Sequence, residues 1–340
     1  MGRFAKRFSG ERPVSLGFEL TFLSEFSEFV WRVLDRDAKR RACISQAPVK
    51  EPFLIFLKNS TSVNPIAVEK FRDLCYNINI MQTEHKMMVI DWNISYAGDA
   101  QIKIDFLKSL VSDTYCIILQ EVTENSYEYL KKIFCQCTIL YSLNYRKPSK
   151  FDSKARKLGV TIILSNDITV LKCGIVERNI LPERTLFATV KTASKQEIRI
   201  LGIHSITGCD YKKAKSLQYD CLAEFVSEYK PDIIGIDANE PQVDSYDISQ
   251  MKFFNNGKGA ETFFNEVKDI GLSDAFVLFH DIATKSDIVP LAVSHRINNK
   301  IPVRYDFIFV NNSFNVKSFS YDYKNAVNAG SDHAILICNI

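Results

Sequence analysis

From residue 87 onward the chain repeats one pattern, in which a short apolar run ends at polar side chains and a helical segment or turn follows. Short apolar runs bounded by polar residues predict strands buried on both faces. Strands that alternate with helices predict an α/β sandwich with functional side chains at the strand ends. The runs and the residues after them are Met87–Ile90 before Trp92 and Asn93, Cys116–Leu119 before Gln120 and Glu121, Ile198–Ile203 before His204, and Ile233–Ile236 before Asp237, Ala238 and Asn239.

The C-terminal part of the chain adds two polar motifs of the same kind. Asp306 lies at the start of an apolar run, and Ser331-Asp332-His333 places an acid and an imidazole side by side where a strand begins. Other expected strands are Thr138–Tyr145, Gly159–Leu164, Leu186–Lys191, Tyr305–Val310, Val316–Ser320 and Ala334–Cys338, and the expected helices are Gln101–Ser112, a helix capped by Thr123 that runs to Phe134, and Tyr211–Tyr229.

Together these motifs supply carboxylates, amides and two imidazoles, which are the groups needed to hydrolyse a phosphoester with a hard divalent cation. Each motif alone also has a structural interpretation. The segment from Asp237 to Asn239 is typical of an Asx turn before Pro241, Glu121 is an ordinary acid at a strand end, and a lone His204 is more often structural. The interpretation therefore depends on their conjunction.

That conjunction resembles the endonuclease/exonuclease/phosphatase superfamily, whose members have the deoxyribonuclease I-like fold. Residues 87–340 contain, each at a strand and in this order, the motifs Asn, Glu, His, Asp-x-Asn, Asp and Ser-Asp-His. The resemblance implies a four-layer α/β/β/α sandwich. One departure is that Ile236 precedes the Asp-x-Asn motif where the family has glycine, and Gly235 lies one position earlier. The signature tyrosine of the abasic-site repair branch is not evident, so that activity is not assigned.

The resemblance also implies a Mg²⁺ or Mn²⁺ site and a substrate contact. Glu121 would be the direct metal ligand, Asn93 would lie at the metal, and Asp332 would assist at the metal or the water. Arg184, in Pro182-Glu183-Arg184-Thr185, corresponds to an arginine on the substrate side. These assignments are expectations from the family and not from spacing.

Five residues receive catalytic roles from the same resemblance. Asp237 would position or deprotonate the attacking water, and Asn239 would hold a phosphate oxygen. His204 and His333 would contact the scissile phosphate, and Asp306 would orient His333. The sequence offers no acid partner for His204. Of the other histidines, His85 and His280 are interpreted as structural, and His295 with Arg296 as a loop near the site.

One loop between two expected strands is rich in positive charge, opposed only by Asp152. Its cations are Arg146, Lys147, Lys150, Lys154, Arg156 and Lys157. In the related fold such loops flank the substrate, and a phosphate backbone would suit this charge. A solvated loop without a ligand is the alternative. Lys212, Lys213 and Lys215 are expected to add to the same face.

Residues 1–86 are expected to form a mainly helical extension of unknown role, joined to a catalytic domain at 87–340. A helix at Glu19–Arg41, a strand at Phe53–Leu57 and an amphipathic segment from Pro65 are the expected elements. The extension holds the chain's excess of positive over negative charge, with 14 Lys and Arg against 10 Asp and Glu in residues 1–87. Packing on the main domain and binding of DNA or a protein partner both remain open.

Composition favours a chain of the cytoplasm. The nine cysteines are scattered, and the one close pair, Cys135 and Cys137, has poor spacing for zinc, so reduced thiols are expected. No run approaches the length of a membrane span, and acidic residues interrupt the N-terminal apolar stretch, which argues against a secretory signal.

These observations favour a metal-dependent phosphodiesterase, and specifically an endonuclease that hydrolyses DNA, with no membrane partner. A phosphomonoesterase or a phospholipid or inositol-phosphate hydrolase of the same fold is the first alternative, because a fold alone does not choose a substrate. A catalytically idle binding protein on this scaffold is the second.

Overall fold

The computed structural model describes residues 87–111, 113–208, 212–255, 257–284 and 287–340. Contacts divide the chain after Ile80, and all described residues belong to the second unit, Met81–Ile340. The elements expected at Glu19–Arg41, at Phe53–Leu57 and from Pro65 lie outside the described residues, so the extension stays a prediction.

Two six-stranded sheets form the centre of the described region, and a separate two-stranded hairpin accompanies them. The first sheet contains β1 (Met88–Asn93), β2 (Tyr115–Val122), β3 (Thr138–Tyr141), β4 (Gly159–Leu164), β13 (Ser318–Asp322) and β14 (Ile335–Asn339), in the order β13-β14-β1-β2-β4-β3. The second contains β5 (Thr169–Gly174), β6 (Thr185–Lys191), β7 (Glu197–His204), β8 (Ile233–Asp237), β9 (Leu272–Asp274) and β12 (Asp306–Asn311), in the order β5-β6-β7-β8-β12-β9. The hairpin pairs β10 (His295–Ile297) with β11 (Ile301–Val303).

Helices cover the outer face of each sheet, and the inner faces pack on each other. The helices are α1 (Ala100–Leu110), α2 (Glu124–Ile133), α3 (Lys213–Tyr229), α4 (Gly259–Asp269), α5 (Ala275–His280) and α6 (Tyr323–Asn328). Side chains of α1, α2 and α6 share a core with the first sheet, and those of α3 and α4 share one with the second. A third core lies between the sheets. The expected four-layer α/β/β/α sandwich is therefore confirmed.

The pairing of strands brings their polar ends to one edge of the sandwich. β1 runs parallel to β2, and β7 runs parallel to β8, so the carboxyl ends of each pair finish together. β12 runs antiparallel to β8 and begins where β8 ends, which pairs Asp306 with Asp237. His204 pairs with Asp237 from the other side. Three chemically active residues thus occupy adjacent positions across three strands.

The local signals explain most boundaries. Thr123 caps α2, and its hydroxyl accepts a hydrogen bond from the Ser126 N–H at 3.2 Å. The strand expected at Thr138–Tyr145 is wrong in its second half, because the backbone turns into a 3₁₀ helix at Ser142–Asn144. There the Ser142 hydroxyl donates to the Glu183 carbonyl at 2.6 Å and accepts from the Val160 N–H at 2.8 Å. Tertiary hydrogen bonds therefore override the strand propensity of this segment.

No helix in the described part of the chain is long and apolar enough to cross a bilayer. The cysteines of this part are free thiols, with Cys116 and Cys338 buried.

Candidate active site

His333 is held by Asp306 at the centre of the site. Both carboxylate oxygens of Asp306 lie within 3.0 Å of His333 Nδ1, at 3.0 and 2.9 Å. Both residues are buried. Burial by itself lowers the pKa of His333, but the charges of Asp306 and Asp237 outweigh it and raise that pKa to about 10. His333 is therefore an imidazolium at neutral pH, with its ring orientation fixed through Nδ1.

Asp237 lies at the end of β8 with both carboxylate oxygens in contact with other site residues. Oδ2 accepts a hydrogen bond from Asn93 Nδ2 at 2.9 Å, and Oδ1 accepts one from the Asn239 N–H at 3.1 Å. Burial raises the pKa of Asp237 to about 7; the His333 charge opposes this shift and Asp306 adds to it. A carboxyl that titrates near neutrality is suited to accept a proton at that pH.

His204 occupies the opposite protonation state from His333. Burial lowers its pKa well below the ordinary value, and the charges of Arg184 and His333 lower it further. Arg184 Nη1 lies 2.8 Å from both ring nitrogens of His204. The acid partners that the sequence did not reveal are near, since Glu121 Oε1 and Asp237 Oδ2 are 3.7 and 3.6 Å from His204 Nε2. His204 is therefore a neutral imidazole between a guanidinium and two carboxylates.

Glu121 reaches this point because β2 is irregular at its end. The pairing of β2 with β4 shifts register between Leu119 and Val122, and Glu121 has a positive φ of 58°. Its Oε2 accepts a hydrogen bond from the Tyr96 N–H at 2.9 Å. The side chain stays partly accessible. A bulge of this kind re-aims a side chain beside a functional site, and here it turns Glu121 toward His204.

Asn239 is held in position by helix α3. Lys215 Nζ donates to the Asn239 carbonyl at 2.6 Å and forms an ion pair with Glu240 Oε1 at 2.8 Å, and the Tyr219 hydroxyl donates to the Ala238 carbonyl. Asn239 has a φ of 50°, and its side-chain Nδ2 donates to the Ser205 carbonyl at 3.0 Å. Lys215 is buried, so its predicted place on a substrate-binding face is wrong. Lys212 and Lys213 are exposed.

The hairpin β10–β11 adds His295 to the site. Its ring stacks on His333 with centroids 4.4 Å apart, and its Nδ1 lies 3.0 Å from the Asp332 carbonyl. Ligand atoms of His295, Asp332 and His333 lie within 4.8 Å of one another, as do those of Asp237, Asp306 and His333. Asp332 itself is exposed. The structure therefore places His295 at the site, and His295 and Arg296 belong to strand β10 and not to a loop.

A buried polar pair that sequence reasoning missed lies directly beneath the site. Gln120 Nε2 donates to Asp91 Oδ1 at 2.6 Å. A Cβ atom at Gly235 would lie 2.4 Å from the same oxygen, so this glycine leaves room for the carboxyl group. Burial raises the pKa of Asp91 well above its ordinary value, and the hydrogen bond from Gln120 opposes this shift. The signal that could have revealed the pair is an acid inside the apolar run Met88–Asn93.

The basic loop divides into two sets of cations. Arg146 Nη1 and Arg156 Nε lie 3.4 and 3.3 Å from the buried carboxylate of Glu183, next to Arg184. The other four cations are exposed: Lys147, Lys150, Lys154 and Lys157. The two arginines thus anchor the loop, and the lysines are the cations that face solvent.

Comparison with known proteins supports the fold. No family model and no curated protein matches the sequence. Solved structures do match: D. rerio TDP2 complexed with single-strand DNA product (15% identity, TM-score 0.52, covering 75% of this chain and 99% of that one), the 3′ phosphatase NExo from Neisseria bound to a product DNA hairpin (16%, 0.52, 74% and 98%), and an endonuclease/exonuclease/phosphatase from Bacteroides vulgatus (15%, 0.51, 75% and 98%). The chain therefore shares the deoxyribonuclease I-like fold of these solved structures.

Proposed function

We propose that this chain is a divalent-cation-dependent phosphodiesterase, and specifically an endonuclease that hydrolyses DNA. The observation that carries the proposal is the position of Asp237 between two imidazoles of opposite protonation state, His204 at 3.6 Å and the cationic His333. Hydrolysis at phosphorus needs a proton acceptor for the water and positive charge for the phosphoryl oxygens. This group of residues supplies both.

The donor atoms at the edge of the site fit a hard cation. Glu121 offers a partly accessible carboxylate, Asp332 an exposed one, and Asn93 a carboxamide oxygen, and Mg²⁺ or Mn²⁺ prefers oxygen ligands of this kind. When bound, the cation would polarise a phosphoryl oxygen and offset negative charge.

The remaining steps belong to side chains of the chain itself. Asp237 in its carboxylate form accepts a proton from water as the new P–O bond forms and the bond to the leaving oxygen breaks. Nδ1 of His333 is held by Asp306, which leaves Nε2–H to donate to a phosphoryl oxygen. Arg184 and the amide of Asn239 would hold further phosphate oxygens.

Two observations favour DNA as the substrate. Four exposed lysines follow one another along the loop from Lys147 to Lys157, and a series of cations suits a polyanionic backbone better than a single phosphate. In addition, TDP2 of D. rerio and NExo of Neisseria, which share the fold, were solved with DNA products. A small phosphorylated substrate is the alternative outcome of the tests below.

The first test replaces the carboxylate expected to hold the cation. We expect Glu121→Gln to lower kcat on the order of a hundredfold or more, because several kcal/mol of charge stabilisation would be lost, and EDTA to abolish the wild-type activity. Plasmid DNA and bis(p-nitrophenyl) phosphate serve as substrates. Glu124→Gln, an exposed carboxylate in the first turn of α2, is the matched control. Wild-type rates for Glu121→Gln, or no effect of EDTA, would exclude the metal assignment.

A further inference from the structure

A surface beside the site combines two exposed aromatic rings with the four exposed lysines. We name it the aromatic–lysine surface; its residues are Tyr96, Lys147, Lys150, Phe151, Lys154 and Lys157. Phe151 has the largest exposure of any apolar side chain in the described part of the chain, at 86%, and Tyr96 is 44% exposed. An exposed aromatic ring with a cation beside it offers a face on which a base can stack.

A hydrogen-bonded turn fixes the exposure of Phe151. The Ser149 N–H donates to Asp152 Oδ2 at 2.8 Å, the Asp152 N–H donates to the Ser149 carbonyl at 3.2 Å, and the Phe151 N–H donates to the Ser149 hydroxyl at 3.1 Å. Asp152 also lies 3.7 Å from Arg146, one of the anchoring arginines. Lys150 Nζ is 4.9 Å from the centroid of the Phe151 ring. The turn therefore presents a ring and a cation together.

Tyr96 connects this surface to the candidate metal site. Its N–H donates to Glu121 Oε2 at 2.9 Å, and Lys154 Nζ lies 3.8 Å from the centroid of its ring. Lys103 holds the same loop through the Ser95 carbonyl at 2.7 Å and through the Ala97 carbonyl. The backbone of Tyr96 is thus hydrogen-bonded to Glu121, and its ring has the Lys154 cation beside it.

The other side of the loop is fixed next to the catalytic imidazole. Glu183 is buried and receives Arg146 and Arg156, and Arg156 also donates to the Ile180 carbonyl at 3.0 Å. The next residue, Arg184, contacts His204 at 2.8 Å. The basic loop therefore contacts the Glu121 side through Lys154 and Tyr96 and the His204 side through Glu183, which precedes Arg184, so its lysines lie beside the place where the phosphate would be cut.

We propose that the aromatic–lysine surface binds unpaired nucleotides, so that the strand entering the site is single-stranded. This inference rests on the proposed function and specifies its substrate class. Base faces can stack on Tyr96 and Phe151 only when the bases are not stacked in a duplex, and the lysines meet the phosphates between them. A duplex would use the lysines and leave the rings in water. DNA and RNA share this chemistry, and the experiment below has an arm for each.

The direct test measures binding in EDTA, where no cleavage occurs. Fluorescence anisotropy would compare four labelled probes of one length: single-stranded DNA, single-stranded RNA, blunt duplex DNA, and an abasic DNA strand that has the same phosphates without bases. We expect the single strand that is the better ligand to bind at least about fivefold more tightly than the abasic strand, the lower end of the effect of one stacked base. Equal binding of the abasic strand, or tighter binding of the duplex, would overturn the inference.

Variants separate the contribution of the rings from that of the charges. Tyr96→Ala and Phe151→Leu should each remove about fivefold or more from single-strand affinity and leave abasic-strand affinity unchanged, whereas Tyr96→Phe keeps a ring and should retain wild-type binding. The triple variant Lys147→Ala/Lys150→Ala/Lys157→Ala should weaken both strands alike and reduce the salt slope by about 0.7 per lost phosphate contact. Phe279→Leu on α5 and Lys132→Ala on α2 are matched exposed controls. A ring variant that weakens the abasic strand equally would contradict stacking.

The outcomes distinguish failure of this inference from failure of the proposed function. If the wild type hydrolyses bis(p-nitrophenyl) phosphate with Mg²⁺ but shows no preference for strands with bases, the phosphodiesterase proposal stands and the aromatic–lysine surface is excluded as a base-binding site. If Glu121→Gln retains full hydrolysis, the metal assignment fails; if the wild type hydrolyses neither plasmid DNA nor bis(p-nitrophenyl) phosphate with Mg²⁺, the proposed function itself fails, whatever binds to the surface.

Discussion

His333 and His204 lie in one buried site, yet their surroundings favour opposite charges. Two carboxylates raise the pKa of His333 to about 10 against the effect of burial, whereas burial and Arg184 lower the pKa of His204. One imidazole therefore supplies positive charge at neutral pH, and the other can accept a hydrogen bond. At the scale of single residues, the charged neighbours of each ring determine its protonation state.

Removing the partner of His333 should change the pH profile of the reaction. In Asp306→Asn the burial of His333 is no longer offset by Asp306, so its pKa falls from about 10. The activity that depends on the imidazolium is then lost at lower pH, and kcat at pH 9 falls more than kcat at pH 7. A full pH–rate profile for bis(p-nitrophenyl) phosphate measures this, with the exposed Asp269→Asn as control. An unchanged alkaline limb would mean that the charge of His333 is not used.

Asp237 should reduce the stability of the fold in a pH-dependent way. Its folded pKa, about 7, lies above the ordinary value of 3.8, so the buried carboxyl favours the folded state only while protonated. The stabilisation by the protonated carboxyl is fully present below pH 3.8, declines as the pH rises, and is lost above about pH 7. The stability of Asp237→Asn relative to the wild type should therefore increase between pH 4 and pH 7 and stay level above it. Urea unfolding in EDTA tests this, and a difference that does not vary with pH would contradict it.

At the scale of elements, helix α3 positions the Asn239 segment through a buried ion pair. Lys215 and Glu240 are both almost fully buried and lie 2.8 Å apart. Lys215→Met alone leaves the Glu240 carboxylate unpaired, and we expect a loss of about 3–5 kcal/mol in the free energy of unfolding. Lys215→Met with Glu240→Gln should recover most of it, because a neutral pair carries no unpaired charge. Urea unfolding of the three proteins tests this. The double variant should still have a lower kcat than the wild type, because the Asn239 carbonyl loses its hydrogen bond from Lys215.

The elements also show how far a single sequence determines the fold. Gly159–Leu164 is predicted with its observed bounds because every residue of this strand is buried, so the apolar run is continuous. The edge strand β5 is missed because none of its residues is fully buried, three are exposed, and Lys172 interrupts its apolar residues. Lys103 and Lys215 resemble ordinary lysines of amphipathic helices, since their partners, the Ser95 and Asn239 carbonyls, are fixed only by tertiary structure.

In the candidate site, too, residues marked by a local apolar run could be predicted, and those that depend on tertiary contacts could not. The residues at strand ends could be named from the sequence because the strands that deliver them have strong apolar patterns. Asp91 could not, because the space for its buried carboxyl group is left by Gly235 in the opposite sheet, which no local pattern connects with it. The anchoring role of Arg146 and Arg156 likewise depends on the burial of Glu183.

At the scale of the whole molecule, the cores and the site described above lie within residues 87–340. The segment's own ends pair, since the Met87 N–H donates to the Ile340 carbonyl at 3.0 Å and the Ile340 N–H donates back at 3.1 Å. We therefore expect residues 87–340 alone to unfold cooperatively and to hydrolyse bis(p-nitrophenyl) phosphate with the kcat of the full chain. Calorimetry and steady-state kinetics on both proteins test this. An unfolded or inactive fragment would show that residues 1–86 complete the domain.

Glu121 and Asn239 both adopt left-handed backbone conformations, with φ of 58° and 50°. For a residue with a side chain such a conformation costs roughly 1 kcal/mol or more of conformational free energy, and for glycine it does not. Without a functional requirement, selection for stability alone would favour glycine at both positions. A lineage that no longer used the two side chains should therefore lose them. A catalytically idle descendant of this scaffold should therefore be recognisable by glycines at these two turns, where this chain has an acid and an amide.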